Sequence, residues 1–303
     1  MTRDEGRVAT TGREAQTIHG QGLLLRHANL VRLPHTVFAL PFALVGAVLA
    51  SHVSPITAGD VVWVIVAFTS ARFAAMGFNR IVDREIDALN PRTKSREIPS
   101  GAMSVREAGV AVTIASLIFF VAAWQLNPLC LMLSPLAVSF LVGYSYTKRF
   151  TWLSHWILGF TDGIAAAGGW ISVRAAFDPP VYVLWFALTV WIAGFDLIYA
   201  CQDVEFDRRH RLHSVPARFG IAAALTAARV CHVLTIAAFA LLGWMMGLGL
   251  LYWAGVLVVA ALLVYEHSLV SPGDLSRLDI AFFNVNGYIA VILFFSVIGG
   301  RLR

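Results

Sequence analysis

The chain has 303 residues, of which 58% are hydrophobic and 14% charged, with a net charge of +5 and a mean hydropathy of +0.72. Soluble domains average roughly 45–50% apolar and 25% charged residues, so this composition excludes a soluble globular protein. The positive charge does not indicate a nucleic-acid partner, because the basic residues gather in the connections between apolar segments.

Residues 1–22 are polar and lack the apolar core of a cleaved signal peptide, which predicts a disordered tail. Residues 23–303 are expected to form one membrane domain. Apolar runs long enough to cross about 30 Å of hydrocarbon recur along it, and they are too long for barrel strands. The predicted fold is therefore an all-α polytopic bundle of nine transmembrane helices. The predicted spans are 35–52, 58–82, 105–126, 129–147, 154–173, 181–204, 219–243, 247–268 and 279–299.

Lysine and arginine are distributed unevenly over the predicted connections. The loops after spans two, four, six and eight are basic, whereas those after spans one, three, five and seven contain only Arg174. Cytoplasmic loops of membrane proteins carry the excess of basic residues. We therefore expect a multi-pass protein of the inner (plasma) membrane whose N-terminus and basic loops face the cytoplasm.

A run of polar residues closes the second predicted span. Asn79, Asp83 and Asp87 lie four residues apart, a spacing that advances about 6 Å along a helix and places all three on one face. Pro91 is expected to end this helix.

The same arrangement returns at the end of the sixth span. Asp203 follows Asp83 by 120 residues, and Asp207 follows Asp87 by the same interval. The chain is thus predicted to consist of two related halves of about four helices each, with a ninth helix added. Repeats of this kind in membrane proteins indicate a site at the interface between the halves.

These carboxylates can be read as ordinary charged helix ends or as a site. Acids at a helix C-terminus face the negative end of the dipole, and four of them together would repel, so they are expected to have raised pKa values or to recruit a metal. Oxygen ligands without His or Cys specify Mg²⁺, which commonly carries substrate phosphates. Nearby cations suit those phosphates, and an apolar bundle suits a hydrocarbon tail, which predicts an isoprenoid diphosphate. The cations are Lys94, Arg96, Lys148 and Arg149.

Four segments give the chain a resemblance to a known family. It resembles the UbiA superfamily of intramembrane aromatic prenyltransferases over nearly its whole length, from the "LVRLPHTVFALPFALVG" segment through the last span. The segments that carry the resemblance are "NRIVDREIDALNPRT" (79–93), "REIPSG" (96–101), "GYSYTKRFTWLSHWILGF" (143–160) and "DLIYACQDVEFDRRHRLHSVPARFG" (196–220).

The resemblance implies a nine-helix fold, two Mg²⁺ ions, and transfer of a polyprenyl group from a polyprenyl diphosphate to an aromatic ring carbon. It is to the 4-hydroxybenzoate polyprenyltransferases in particular, including the branch associated with menaquinone made by the futalosine route. The acceptor would then be 4-hydroxybenzoate or a related quinone precursor for ubiquinone or menaquinone biosynthesis. Glu97–Ile98 and His213 depart from residues frequent in those enzymes, which leaves dihydroxynaphthoate, haem and chlorophyllide as alternative acceptors.

The resemblance also assigns roles to residues of this chain. Asp83, Asp87, Asp203 and Asp207 would bind Mg²⁺ and carry catalysis, with Asn79 orienting the metal-bound shell or contacting the diphosphate. Arg72, deep in the second span, could bind an acceptor carboxylate or pair with a structural acid such as Asp162 or Asp196. The remaining substrate-binding candidates are Arg32, Lys94, Arg96, Tyr144, Lys148, Arg149, Asp196 and Tyr199.

A membrane transporter is the competing class of function, because repeats and intramembrane acids also occur there. The acids of this chain cluster at helix ends beside basic loops, whereas coupling-ion sites usually lie near the middle of the bilayer. This depth favours the enzyme. The sequence does not indicate a protein partner.

Overall fold

The structure, a computed structural model, describes residues 22–31 and 33–300. The predicted tail, apart from Gly22, and Arg32 lie outside the described residues, so both expectations stay predictions. The described part is helical and forms no named β-strand. Its α-helices are α1 (Leu23–Leu30), α2 (Leu33–Ala50), α3 (Ala58–Leu89), α4 (Val105–Leu126), α5 (Pro128–Gly143), α6 (Ser154–Arg174), α7 (Pro179–Ala200), α8 (Val204–Arg209), α9 (Val215–Phe219), α10 (Ile221–Met246), α11 (Leu250–Ser268) and α12 (Asn286–Gly299).

Each of the nine predicted spans corresponds to a long helix. Within the described part, seven helical segments are long and apolar enough to cross a membrane, and these include α3, α7 with its extension to Arg209, and α12 with the turn before it. The prediction of an all-α integral membrane protein is confirmed. Helices α2 and α6 are not among the seven, so the count of nine crossings stays a prediction.

The order of helices repeats along the chain. The helices α2 to α5 begin at residues 33, 58, 105 and 128, and α6, α7, α10 and α11 begin at residues 154, 179, 221 and 250. These starting points follow one another at intervals close to the 120 residues that separate the acidic motifs. The helix order therefore supports two halves of four helices, with α12 as the additional one.

The two halves meet where α2 crosses α6, at small residues. A Cβ atom built on Gly46 would collide with the carbonyl of Ala166, and one on Gly169 would collide with the carbonyl of Ala43. Glycine is required at both positions because the helix backbones touch, a common way for membrane helices to associate. The small residues of α6 thus serve helix packing.

The main core surrounds α7, which is buried along most of its length. Trp191 and Leu197 of α7 pack with buried residues of α2, α6, α10 and α12, among them Trp170 and Phe239. Because this core fixes α7 in the middle of the bundle, the polar residues at its C-terminal end are placed against the end of α3.

At the end of the bundle away from the acidic motifs, Arg174 is the basic residue of the sparsely charged loops, and it has two hydrogen-bond partners. The Nε atom of Arg174 donates to Asp178 at 2.9 Å, and its Nη1 donates to the hydroxyl of Ser54 at 2.7 Å. The hydrogen bond from Arg174 lowers the pKa of Asp178 below its usual value. The charge of Arg174 is therefore compensated by Asp178.

Candidate active site at the acidic helix ends

The first acidic motif lies on one unbroken helix. Helix α3 continues to Leu89, seven residues beyond the predicted span, and Asn90 and Pro91 follow it. The side chain of Asn79 donates from Nδ2 to Oδ2 of Asp83 at 2.9 Å, as expected for residues one turn apart. Asn79 and Asp83 therefore share a face of α3 and are already in contact.

Arginines hold both carboxylates of this motif. The Nη2 atom of Arg149 lies 3.0 Å from Oδ1 of Asp83 and also donates to the carbonyl of Val82. The Nη1 atom of Arg96 donates to the two oxygens of Asp87 at 2.7 and 2.8 Å. Arg80 adds a second guanidinium 4.0 Å from Asp87, which is itself buried. These cations offset the cost of placing acids at a helix C-terminus.

The second acidic motif has the same spacing on a different backbone. Helix α7 ends at Ala200, a 3-10 turn follows at Cys201–Asp203, and α8 begins at Val204. The buried Asp207 accepts a hydrogen bond from the Ser214 hydroxyl at 2.7 Å. The helical segment that contains this motif continues to Arg209, and its backbone changes to a 3-10 turn at Cys201–Asp203, inside the predicted span 181–204.

Arg92 connects the two motifs. It follows α3 in the chain, yet its Nε and Nη2 atoms donate to the two oxygens of Asp203 at 3.2 and 2.7 Å. Its Nη1 atom donates to the hydroxyl of Tyr199 at 3.0 Å, and the guanidinium lies over that ring, 5.4 Å from its centroid. Asn90 also donates to Asp203, at 3.4 Å. The loop of the first half thus completes the acidic end of the second half.

Lys148 is the cation common to both motifs. It lies in the 3-10 turn Tyr144–Arg149 and interacts electrostatically with Asp83, Asp203 and Asp207. An ammonium group in this place can face a phosphate between the two acid pairs as a point charge.

The oxygen donors of the two motifs suit Mg²⁺, because they are carboxylates and an amide without His or Cys. Among residues 22–31 and 33–300, no group of three or more His, Cys, Asp or Glu side chains meets in an arrangement that could hold a metal ion. Asp83, Asp87 and Asp203 each hold an arginine here. Metal binding would require these carboxylates to exchange arginine contacts for the ion, so the Mg²⁺ site stays a prediction.

A large cavity lies beneath this charged end. It has a volume of about 470 Å³ and is lined mostly by apolar side chains of α2 to α7 and of the segment before α12. Asn79 lines it at the charged end, and Arg72 lines it seven residues earlier on α3, about 10 Å away along the helix. The cavity therefore connects a polar group within the bundle to the acidic motif.

Two polar groups meet across this cavity. The Nη1 atom of Arg72 lies 4.0 Å from Oδ2 of Asp162, at the limit of an ion pair, and its Nε atom is buried without a hydrogen-bond partner. Tyr144 also lines the cavity, within electrostatic reach of Asp162. Pairing with Asp162, one of the two roles expected for Arg72, is thus seen at long range, and acceptor binding stays a prediction.

Asp196 lines the cavity beside a fully buried histidine. The Nε2 atom of His155 accepts a hydrogen bond from the backbone N–H of Val215 at 3.2 Å, so the ring proton is on Nδ1. Nδ1 donates to Oδ2 of Asp196 at 2.6 Å. Asp196 is therefore a carboxylate oriented by the imidazole of His155, and it also interacts electrostatically with Lys148.

The remaining candidates are placed less centrally. Tyr199 stacks on Phe282 with ring centroids 4.1 Å apart and is not among the described residues that line the cavity. Lys94 is exposed to solvent, and Arg32 lies outside the described residues. Their predicted contacts with substrate stay predictions.

Sequence reasoning gave no site role to Arg80, Arg92, His155 or Ser214. Arg92 had a usable signal, since it lies within the charged segment that follows Asp87. His155 and Ser214 had none, because their partners are 41 and 7 residues away and are identified only by the folded chain.

Comparison with known proteins identifies the family of the chain. A family model described as the UbiA prenyltransferase family matches residues 39–292. A 4-hydroxybenzoate octaprenyltransferase of Citrobacter koseri is 28% identical over 236 residues, which cover 77% of this chain and 81% of that protein.

Solved structures show the same fold. The apo structure of a UbiA homolog from Aeropyrum pernix K1 has a TM-score of 0.82 and 34% sequence identity, and the match covers 89% of this chain and 99% of that one. A UbiA homolog from Archaeoglobus fulgidus, bound to GPP and Mg²⁺, has a TM-score of 0.66 and 19% identity, with 90% and 99% covered. At that identity the second likeness concerns the fold alone.

Proposed function

Because the chain belongs to the UbiA prenyltransferase family, we propose that it transfers a polyprenyl group from a polyprenyl diphosphate to a ring carbon of 4-hydroxybenzoate or a related aromatic acid, in a quinone pathway. The observation that carries this proposal is the apolar cavity that joins Arg72 to Asn79. It offers a hydrocarbon-lined space that ends in cations and carboxylates, as a prenyl diphosphate requires. Membership of an enzyme family also removes the support for a transporter.

The diphosphate is proposed to lie at the acidic end. Asp83, Asp87, Asp203 and Asp207 would hold Mg²⁺, with two ions expected, and Asn79 would orient that shell. When bound, Mg²⁺ neutralises charge that develops on the diphosphate oxygens. This assignment is supported by the oxygen donors and by the GPP and Mg²⁺ bound to the Archaeoglobus fulgidus relative.

The basic residues around the motifs complete the binding of the diphosphate. Arg96 and Arg149 would turn from the carboxylates toward phosphate oxygens, which guanidinium groups bind through paired hydrogen bonds. Lys148 already faces both acid pairs and would contact the phosphates as a point charge. Lys94 is exposed and could guide the anion toward the site.

The prenyl tail and the aromatic acceptor would share the cavity. In the reaction, the allylic C–O bond breaks, the diphosphate leaves with the electron pair, and the ring carbon forms a bond to the allylic carbon. The ring then loses its proton, which Asp196, oriented by His155 in the cavity wall, would accept. The apolar walls exclude water, which would otherwise capture the allylic cation.

Arg72 is proposed to bind the carboxylate of the acceptor. It carries a buried Nε–H without a partner, and its distance of 4.0 Å from Asp162 leaves the guanidinium weakly held. A planar guanidinium matches a carboxylate with two parallel hydrogen bonds. The face of Tyr144 would stabilise the allylic cation from the cavity wall.

The location is proposed from charge and composition. The chain is an integral membrane protein, and we infer that it lies in the inner membrane with its basic loops and its acidic helix ends toward the cytoplasm. A water-soluble diphosphate headgroup would then meet the site from the cytoplasmic side.

The proposal is tested with the purified full-length protein in detergent, labelled geranyl diphosphate, Mg²⁺ and a panel of acceptors. We expect the label to join a ring carbon of 4-hydroxybenzoate, with release of diphosphate. Transfer to dihydroxynaphthoate, haem or chlorophyllide but not to any hydroxybenzoate would contradict the acceptor assignment. Release of diphosphate without transfer to any acceptor in the panel would contradict the aromatic prenyl transfer itself.

A further inference from the structure

The helix that ends the chain begins with a wider turn. Residues Ile280–Val285 form a π-helical turn directly before α12. Single π turns inside helices are uncommon and occur frequently at functional sites, because they shift the side chains that follow and leave a carbonyl without its usual partner. A donor group that binds the carbonyls of this turn would therefore favour it over a continuous α-helix.

Asn286 provides that group. Its Nδ2 atom donates to the carbonyl oxygens of Ala281 at 3.2 Å and Phe282 at 3.1 Å, both within the π turn. The same nitrogen donates to Oε1 of Glu266 on α11 at 3.0 Å. Glu266 is fully buried, so this bond fixes the turn to a neighbouring helix and not to a mobile surface group.

The π turn faces the active site. Phe282 lines the cavity and stacks on Tyr199, with ring centroids 4.1 Å apart and planes inclined by 28°. The hydroxyl of Tyr199 accepts a hydrogen bond from Arg92, and Arg92 holds both oxygens of Asp203. A continuous series of contacts thus joins Glu266 and Asn286 to the second acidic motif.

We propose that Asn286 and Glu266 are positioning residues: they hold the π turn so that Phe282 supports Tyr199, and Tyr199 in turn fixes Arg92 and Asp203 for binding of the prenyl diphosphate. The effect on substrate rests on the proposed function, whereas the effect on the turn does not. Asn286 also lines the cavity, whereas Glu266 is not among the described residues that line it and acts only through its neighbours.

Simple packing is a weaker explanation for this pair. Asn286 Oδ1 is buried without a hydrogen-bond partner, and Glu266 Oε2 has only His232 Nδ1 near it, 3.8 Å away, which is costly in an apolar interior. Replacing buried polar groups by well-packed apolar ones is often neutral or stabilising, so stability alone does not account for an acid and an amide here. The geometry of the π turn does account for them.

The test compares Asn286→Ala with Asn284→Ala, which changes an exposed asparagine of the same π turn. Hydrogen exchange of the full-length protein in detergent should become faster in residues 280–286 and 199–203 for Asn286→Ala and stay unchanged for Asn284→Ala. In steady-state assays, Asn286→Ala should raise the KM for geranyl diphosphate roughly three- to tenfold, the scale of one lost hydrogen bond. The KM for the aromatic acceptor should change less than about twofold.

Two further variants keep the test decisive if Asn286→Ala does not fold. Glu266→Gln retains the oxygen that accepts from Asn286, and it should stay within about twofold of the wild type in both KM values. Phe282→Leu removes the ring that supports Tyr199, and it should reproduce the rise in KM for geranyl diphosphate. Equal changes in both KM values, or a lower melting temperature with unchanged KM values, would overturn the proposal.

The two hypotheses fail in different ways. If the wild type transfers no prenyl group, the proposed function fails, and faster exchange in Asn286→Ala alone would still support the role of this residue in holding the turn. If the wild type is active and exchange at 199–203 does not respond to Asn286→Ala, the positioning role fails and the proposed function stands.

Discussion

Asp83 and Asp87 lie on the unbroken helix α3, whereas Asp203 and Asp207, at the same spacing, lie on either side of the change from a 3-10 turn to α8. The supporting groups differ as well. Arginines bind Asp83, Asp87 and Asp203, and the arginine at Asp203 is Arg92 from the first half, whereas Asp207 accepts a hydrogen bond from the hydroxyl of Ser214. The repeat therefore preserves the spacing of the acids but not the groups that hold them, and the second motif is incomplete without the first half.

The cavity walls show a second difference between the halves. Arg72 of α3 corresponds, 120 residues later, to Ile192 of α7, and Asp196 of α7 corresponds to Met76 of α3. All four line the cavity. The first half thus contributes the cation that is proposed to bind the acceptor, and the second half contributes an acid. Two related halves with opposite charges can distinguish the two ends of a bound substrate.

The largest effects are expected where both halves contribute a carboxylate. Asp83→Ala and Asp203→Ala should each lower kcat at least a hundred- to a thousandfold, since each removes a group proposed to stabilise charge on the leaving diphosphate. Both side chains are partly exposed, so the melting temperature should change little. Activity assays and thermal unfolding check this together. If either Asp83→Ala or Asp203→Ala kept the activity of the wild type, the two acidic motifs would not be functionally equivalent.

Arg72→Ala tests the difference between the cavity walls. A charged hydrogen bond in a buried site contributes about 1.5–3 kcal/mol, so the KM for the aromatic acid should rise roughly ten- to a hundredfold, and the KM for the prenyl diphosphate should rise much less. Lys in its place should restore the interaction only in part, since it lacks the planar fork.

Asp162→Asn is the companion to this substitution. It removes the charge that competes for Arg72, so the KM for the acceptor should fall. Loss of affinity for both substrates in Arg72→Ala would identify Arg72 as the structural partner of Asp162, without a direct role in acceptor binding.

Arg92→Ala tests whether the second motif depends on the first half. It removes both bonds to Asp203 and the bond to Tyr199, so the KM for the prenyl diphosphate should rise about tenfold. Lys94→Ala, which changes an exposed cation two residues later, should have an effect below about threefold. Equal effects of the two variants would indicate that the loop acts only through its overall charge.

Ser214→Ala should have the smallest effect. It removes one neutral hydroxyl that donates to Asp207, worth about 1 kcal/mol, so kcat/KM should fall roughly three- to tenfold. Arg96→Ala, which removes the charged partner of Asp87, should cost more. A larger loss of kcat/KM in Ser214→Ala than in Arg96→Ala would show that Asp207 depends more on its partner than Asp87 does.

Local patterns account for the parts of the fold that the sequence predicted. The long apolar helices follow from apolar length, and the shared face of Asn79 and Asp83 follows from a spacing of four residues, because both depend on neighbours along the chain. The ion pairs could not be predicted in this way. Arg92 and Asp203 are 111 residues apart, and several acids of the chain were equally plausible partners for that arginine.

The sequence also did not predict the 3-10 turn after α7 or the π turn before α12. Neither of the two residues that follow Ala200 is a glycine or a proline, so the local sequence did not indicate that α7 would end there. The π turn before α12 likewise has no local signal, and its supporting residue Glu266 comes from a different helix. Tertiary contacts decide both features, and both lie next to the proposed site.

The most direct test of the account is a Mg²⁺ titration of prenyl transfer after the purified protein has been treated with EDTA. The account predicts no transfer to the acceptor without divalent metal, full recovery of the wild type as Mg²⁺ is added, and no recovery of Asp83→Asn or Asp203→Asn at the same concentrations. Full activity of the EDTA-treated wild type, or recovery of both variants alongside it, would contradict the assignment of the two acidic helix ends as a shared Mg²⁺–diphosphate site.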